Sequence, residues 1–131
     1  MADPRHWTIY LHDYVPDSTL SLNGRRRAHW SEIVRLQSEA RLILRAALSK
    51  EFGGYVRGGP LAQARLKVRF HYPTARRRDP DGLAGLAKPL IDELVEYGVL
   101  VDDNSDRLEL QVSAQTLRGK TMTVIEIEEL T

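Results

Sequence analysis

Asp79 and Asp81 stand two residues apart with Pro80 between them, and Asp102 and Asp103 form a second acidic pair downstream. If the backbone at 79–81 is extended, both carboxylates of the first pair point the same way. Three or four carboxylates drawn together repel one another unless a cation sits among them. Oxygen-only clusters of this kind suit Mg²⁺ or Mn²⁺. Such an ion activates water and neutralises charge on a phosphoryl group. Arg76, Arg77 and Arg78 come immediately before the first pair, and guanidinium groups suit the oxygens of a phosphodiester. The mixed sign of RRRDPD then has a purpose, with cations for a substrate backbone and anions for a metal.

The same residues have a plainer reading. Asp79 can cap a helix, Pro80 can be its first residue, and Asp81 can sit in the first turn, where the helix dipole favours an anion. Asp102-Asp103-Asn104-Ser105 is also ordinary turn composition. On spacing alone the cap-and-turn reading has the stronger claim, because such motifs are commonplace.

The surrounding elements must position these groups. Trp7 to Leu11 reads as a short strand, and residues 13–29 as a loop carrying Pro16, Asp17, Ser18, Asn23 and Gly24. A helix is expected from Ser31, its N-cap, with Ile33, Leu36, Ala40, Ile43, Leu44 and Ala47 at helical spacing. Four glycines and a proline in 52–60 end it. From Arg65 to Tyr72 the pattern alternates: Leu66, Val68, Phe70 and Tyr72 on one face, Arg65, Lys67, Arg69 and His71 on the other. That predicts a half-buried strand with a basic, exposed side. Leu83, Leu86, Ala87, Leu90, Ile91, Leu94 and Val95 make one apolar helical stripe ending at Gly98. Pro89 falls inside it, so the helix is expected to start near Lys88 or to break there, since proline in a helix interior costs about 3 kcal/mol. Leu108, Leu110 and Val112 alternate, Arg118-Gly119-Lys120 turns, and 122–127 returns, which predicts a hairpin.

The 131 residues give a single expected domain, 1–131, of α/β (α+β) type with element order β-α-β-α-β-β in a mixed sheet. The formal net charge of +1 hides an asymmetry. Residues 1–78 carry 15 Lys/Arg against 6 Asp/Glu, a balance of +9, and residues 79–131 carry 4 against 12, a balance of −8. A basic half beside an acidic half suits one surface for phosphates and another for metal, although charge runs are usually solvated faces. The chain has no cysteine, which excludes disulfides, a thiol nucleophile and a zinc-thiolate site. No apolar signal region opens it and no run approaches ~18 apolar residues, so a cytoplasmic protein without membrane contact is expected. The four histidines show no metal-ligand spacing. His71 is expected to be plainly exposed, and Trp7 and Trp30 to be core or interface anchors more than base-stacking platforms.

Taken together, Arg-Arg-Asp-Pro-Asp, then Lys-Pro-Leu-Ile-Asp-Glu-Leu, then Gly-Val-Leu-Val-Asp-Asp resembles the RusA family of Holliday-junction resolvases. Ser21-Leu22-Asn23-Gly24-Arg25, with Arg27, His29 and Trp30, is similar to that family's N-terminal Asn/Arg/His-Trp segment. The resemblance spans roughly residues 7–128 and is most specific over 76–103. It implies a small homodimeric, Mg²⁺-dependent endonuclease, with Mn²⁺ as a substitute, that cuts four-way DNA junctions in recombination and repair in bacteria or their phages. By position it implies Asp79, Asp81 and Asp103 as catalytic carboxylates and metal ligands, Lys88 as the essential lysine, and Asp102 as an auxiliary neighbour. DNA contacts are expected from Asn23, Arg25, Arg26, Arg27, His29 and Arg76 to Arg78, although a solvated loop at 25–27 and plain packing of His29 fit the residues equally well.

Two departures from the family pattern stand out. Gly82 replaces an asparagine, and a repeated Gly-Leu-Ala lengthens the step from Asp81 to Lys88 by three residues. A protein that binds junctions without cutting them is therefore the alternative expectation. A straight helix over 82–97 would carry the chain about 24 Å away at ~1.5 Å per residue, farther than the return to Asp103 easily covers. Either Pro89 breaks the helix, or Asp103 completes the site of a second protomer.

Overall fold

The computed structural model describes residues 3–75 and 80–131, leaving aside the side chains of Leu22, Asn23, Pro80 and Asp81. Strand β1 (His6–His12) leads through a 3-10 turn (Ser18–Leu20) and a short helix α1 (Leu22–Arg25) into the long helix α2 (Trp30–Phe52). Strand β2 (Ala64–Tyr72), helix α3 (Pro80–Tyr97) and strands β3 (Leu108–Thr116) and β4 (Met122–Glu129) follow. This is an α/β fold of the α+β kind. No helix among the described residues is long and apolar enough to cross a membrane.

The four strands lie in the order β1-β4-β2-β3. β4 runs antiparallel to both β1 and β2, and β3 runs parallel to β2. From β1 to β2 and from β2 to β3 the chain therefore steps in the same direction between parallel strands. Right-handed crossovers then put α2 and α3 on one face of the sheet. The core lies between, with Ile9, Leu11, Leu66, Val68, Phe70, Ile125 and Ile127 from the sheet against Leu36, Leu44, Leu48, Leu86, Leu90 and Leu94 from the helices.

The hairpin expected over 108–127 does not form. β3 and β4 both pair with β2, which lies between them. Leu117 N–H donates to Tyr72 O at 2.8 Å, so the connection is tied to the end of β2 as it crosses. Stepping over one strand spans about 9.6 Å, two inter-strand spacings, which a five-residue connection covers with ease.

Helix α3 is also continuous through Pro89, so the helix neither starts at Lys88 nor ends there. Proline removes one hydrogen bond at about 3 kcal/mol. Leu83, Leu86, Leu90, Ile91 and Leu94 are all buried on the same stripe, each worth about 1.5–3 kcal/mol, and they outweigh it. The helix ends at Gly98 (φ +97°), where Gly98 N–H donates to Val95 O and Val99 N–H to Leu94 O.

Three smaller expectations change. The N-cap of α2 is His29, not Ser31: His29 Nδ1 accepts from Ser31 N–H at 3.2 Å. The loop over 13–29 contains the 3-10 turn and α1. His71 is buried rather than exposed, with its Nδ1 lacking a hydrogen-bond partner. Burial, and then the nearby Arg69 charge, hold its pKa below the usual 6.5.

The basic side of β2 does not form an open cationic stripe. Arg65 bonds Glu109 (2.9 Å) and Glu128 (3.4 Å), and Arg69 bonds Glu126 (2.8 Å). Cross-strand neighbours thus cancel two of its three cations.

Candidate active site

The resemblance singled out residues on three segments, and α3 brings two of them together. Lys88 lies on the exposed side of α3, one turn before Asp92, and its Nζ is 3.0 Å from Asp92 Oδ1. The chain after Gly98 doubles back beside α3. Leu61 N–H donates to Val99 O (2.8 Å) and Val101 N–H to Leu61 O (3.1 Å), which pins this return. It delivers Asp103 Oδ2 to 2.6 Å from Lys88 Nζ. One ammonium is therefore held by two carboxylates on an accessible surface. The Asp103 hydrogen bond, then that of Asp92, raise the Lys88 pKa, and Lys88 in turn holds the Asp103 carboxyl below its usual range. At neutral pH Lys88 is a cation and cannot serve as a base.

Helical spacing places backbone position 81 seven residues before Lys88, on the same side of α3 and about 10 Å along its axis. The helix begins at Pro80, where the capping reading of Asp79-Pro80-Asp81 puts its first residue. Asp79 and Arg76 to Arg78 lie outside the described residues, as do the side chains of Asp81 and Asn23.

The two members of the second acidic pair have different partners. Asp102 Oδ1 accepts from Asn104 N–H at 2.8 Å and builds a turn. Asp103 faces Lys88 instead.

The 3-10 turn and α1 flank this surface, and a glycine lets them do so. A Cβ on Gly85 would lie 2.6 Å from Leu20 O and 3.3 Å from Ser21 Cα. The repeated Gly-Leu-Ala thus supplies the contact by which residues 18–25 cross α3 beside the Lys88 face. Replacing Gly85 with Ala is expected to push the segment away, costing about 1–3 kcal/mol as overpacking does. Thermal unfolding of the variant checks this; an unchanged midpoint would mean the contact is dispensable.

The basic cluster next to it is divided. Arg25 Nε donates to Leu20 O at 2.9 Å and so holds the loop together. Arg26 and Arg27 are exposed and, among the described residues, pair with no carboxylate. His29 has its Nδ1 committed to Ser31, capping α2. Trp7 packs edge-on against Phe52 (5.0 Å), as a core anchor should, but Trp30 is 75% exposed and does not join the core.

The arrangement missed from sequence is Glu93. This carboxylate is fully buried in α3 and accepts from Arg41 Nε (3.1 Å), Arg45 Nε (2.9 Å) and Arg45 Nη2 (3.0 Å) of α2. Its signal was present: an acid within the apolar stripe of one helix, and two arginines four apart on another.

Carboxylate oxygens are the donor type that Mg²⁺ or Mn²⁺ takes, but Asp92 and Asp103 are only two, and both are paired with the Lys88 ammonium. Among the described residues no three His, Asp or Glu side chains gather as a metal group.

No family model matches the chain, and no curated protein matches it. A solved structure of 2C-methyl-D-erythritol-2,4-cyclodiphosphate synthase is similar over 70% of this chain at 23% identity and a TM-score of 0.35. The chain spans about half (52%) of that protein's length, and a likeness at that score carries no functional argument.

Proposed function

We propose that the protein is a metal-dependent endonuclease that cuts branched DNA, with four-way junctions as substrate. The observation that carries this reading is the exposed Lys88 ammonium between Asp92 and Asp103, two helical turns from position 81 on the same side of α3. Asp79, Asp81 and Asp103 would hold Mg²⁺, which supplies water activation and neutralises phosphoryl charge when bound. Asp103 is ionised across the neutral pH range and so is ready to bind it. Lys88, a fixed cation, meets the negative charge that grows on the phosphate oxygens during attack. Arg26 and Arg27, with Arg76 to Arg78, hold the neighbouring phosphates and set the strand's register. Resolving a junction takes two cuts, so the acting form is a homodimer with one site per protomer. The setting proposed is the cytoplasm of a bacterium, with the gene carried by the host or a phage.

A labelled four-way junction and its matching linear duplex, each incubated with and without Mg²⁺, test the proposal. Metal-dependent cleavage of the junction and sparing of the duplex are expected. Binding should weaken with salt at about −0.9 in log–log slope per phosphate contacted, and Arg76, Arg77 and Arg78 changed together to Ala should flatten that slope. Salt-dependent binding with no cleavage in Mg²⁺ or Mn²⁺ would leave a junction-binding protein that has lost catalysis. Absence of both would return the acidic pairs to caps and turns.

A further inference from the structure

Trp30 stands at the first turn of α2, 75% exposed, and its side chain makes no hydrogen bond or ring contact among the described residues. A tryptophan left this open contributes little to the core. A single exposed ring is ordinary on a protein surface, so what bears on a ligand is what stands beside it. Its position relative to α3 follows from the pairing of the two helices. Arg41 and Arg45 of α2 meet Glu93 of α3, and farther along Tyr97 O–H donates to Leu48 O at 3.4 Å. The helices run parallel with an offset of about fifty residues. Counted back along both axes as straight, parallel helices, that offset would bring Trp30 level with positions 80–81, the start of α3. The 3-10 turn packs on both helices at this end.

The surroundings select the ligand. Arg26 and Arg27 precede Trp30 and are exposed without carboxylate partners among the described residues. Glu32 lies in the first helical turn, where the dipole favours it. Val34, one turn on, is 38% exposed and extends the apolar ledge. His29 caps the helix through Ser31 N–H, so the ring stands on a fixed backbone. An aromatic face beside cations that hold phosphates matches a nucleobase that is not paired in a duplex.

We propose that Trp30 is a stacking platform for an unpaired base, so that strands opened at a branch point are gripped better than closed duplex. The inference rests on the nuclease reading and sharpens its substrate: a strand with an unstacked base next to the phosphate presented to Lys88. It replaces the expectation that Trp30 anchors a core.

Binding is measured without divalent metal for a four-way junction, a single-stranded oligonucleotide and a linear duplex. Trp30→Ala should weaken binding to the first two by about 5- to 150-fold, the range that loss of one base–aromatic stack gives. Duplex binding and the salt slope should not change, because stacking releases no counterions. Trp30→Phe should retain most of the affinity, while losing the part of the tryptophan fluorescence that the oligonucleotide quenches in the wild type. Equal affinities of wild type and Trp30→Ala would overturn the stacking role and leave the nuclease proposal standing. Equal weakening on duplex would overturn it too, as would a loss that accompanies dissociation of a dimer in sedimentation, since Trp30 would then hold a second copy of the chain. A wild type with no salt-dependent DNA binding would remove the nuclease reading, and the stacking role with it.

Discussion

Asp103→Asn is expected to lower cleavage of a four-way junction by more than about 100-fold while leaving metal-free binding unchanged or slightly tighter. The figure is a floor: loss of a partner that merely orients a metal ligand already costs about 10- to 100-fold. Asparagine has nearly the same shape but no charge, so it neither holds a divalent cation well nor pairs strongly with Lys88, now 2.6 Å away. On the nuclease proposal this surface meets phosphates, and removing an anion from it would not weaken their approach. The neighbour serves as the control. Asp102 accepts from Asn104 N–H through one side-chain oxygen, a bond that asparagine makes equally well. Asp102→Asn should therefore cut at nearly the wild-type rate. Cleavage by Asp103→Asn at that rate would exclude Asp103 as a ligand, and equal damage from both variants would point to the turn rather than to the charge.

The contrast between Asp102 and Asp103 shows how far residue spacing reaches. Two adjacent aspartates read the same in sequence, and only the path of the chain after Gly98 sends one into a turn and the other to Lys88. The broken helix had been one way to close the distance from α3 back to Asp103. The structure closes part of it differently. The helix stays whole, and Asp103 returns within the same chain to the level of Lys88, about 13 Å from the helix end at ~1.5 Å per residue. The alternation of β2 and the stripe of α3 were legible because burial on one face imposes a period, and a period can be counted. Partners leave no such period. The cations of β2 were visible, but not Glu109, Glu126 and Glu128 across from them, because register comes from the whole sheet. Strand order was hidden for the same reason. A turn-like Arg118-Gly119-Lys120 serves a hairpin or a step over β2 equally well, and only the pairing of β2 on both sides decides. Gly85 looked like half of a repeat, and its use appears only once Leu20 is seen 2.6 Å from where a Cβ would stand.

Glu93→Ala is expected to be the most destabilising of these substitutions, at about 3 kcal/mol, or roughly a 10 °C fall in unfolding midpoint for a chain of this size. The carboxylate is fully buried and ties α2 to α3 through Arg41 and Arg45. Removing one member of a buried pair usually costs about 3–5 kcal/mol because the partner stays charged and dry. Here the low end applies: the side chains of Arg41 and Arg45 are 34% and 48% exposed and can turn to water. The acid range gives a sharper test. Burial alone would raise the Glu93 pKa, but hydrogen bonds from Arg45 and then Arg41 outweigh it and hold the carboxyl below its ordinary 4.5. A carboxyl that is more acidic folded than unfolded stabilises the fold fully above the unfolded value, and that contribution is lost as pH falls through the folded one. Glu93→Gln keeps the shape without the charge. Its stability deficit relative to the wild type should therefore be steady from neutral pH down to about 5 and shrink below 4.5. Chemical denaturation at a series of pH values reads this directly, and a deficit that stays constant down to pH 3 would mean that the ion pair is not what joins the helices.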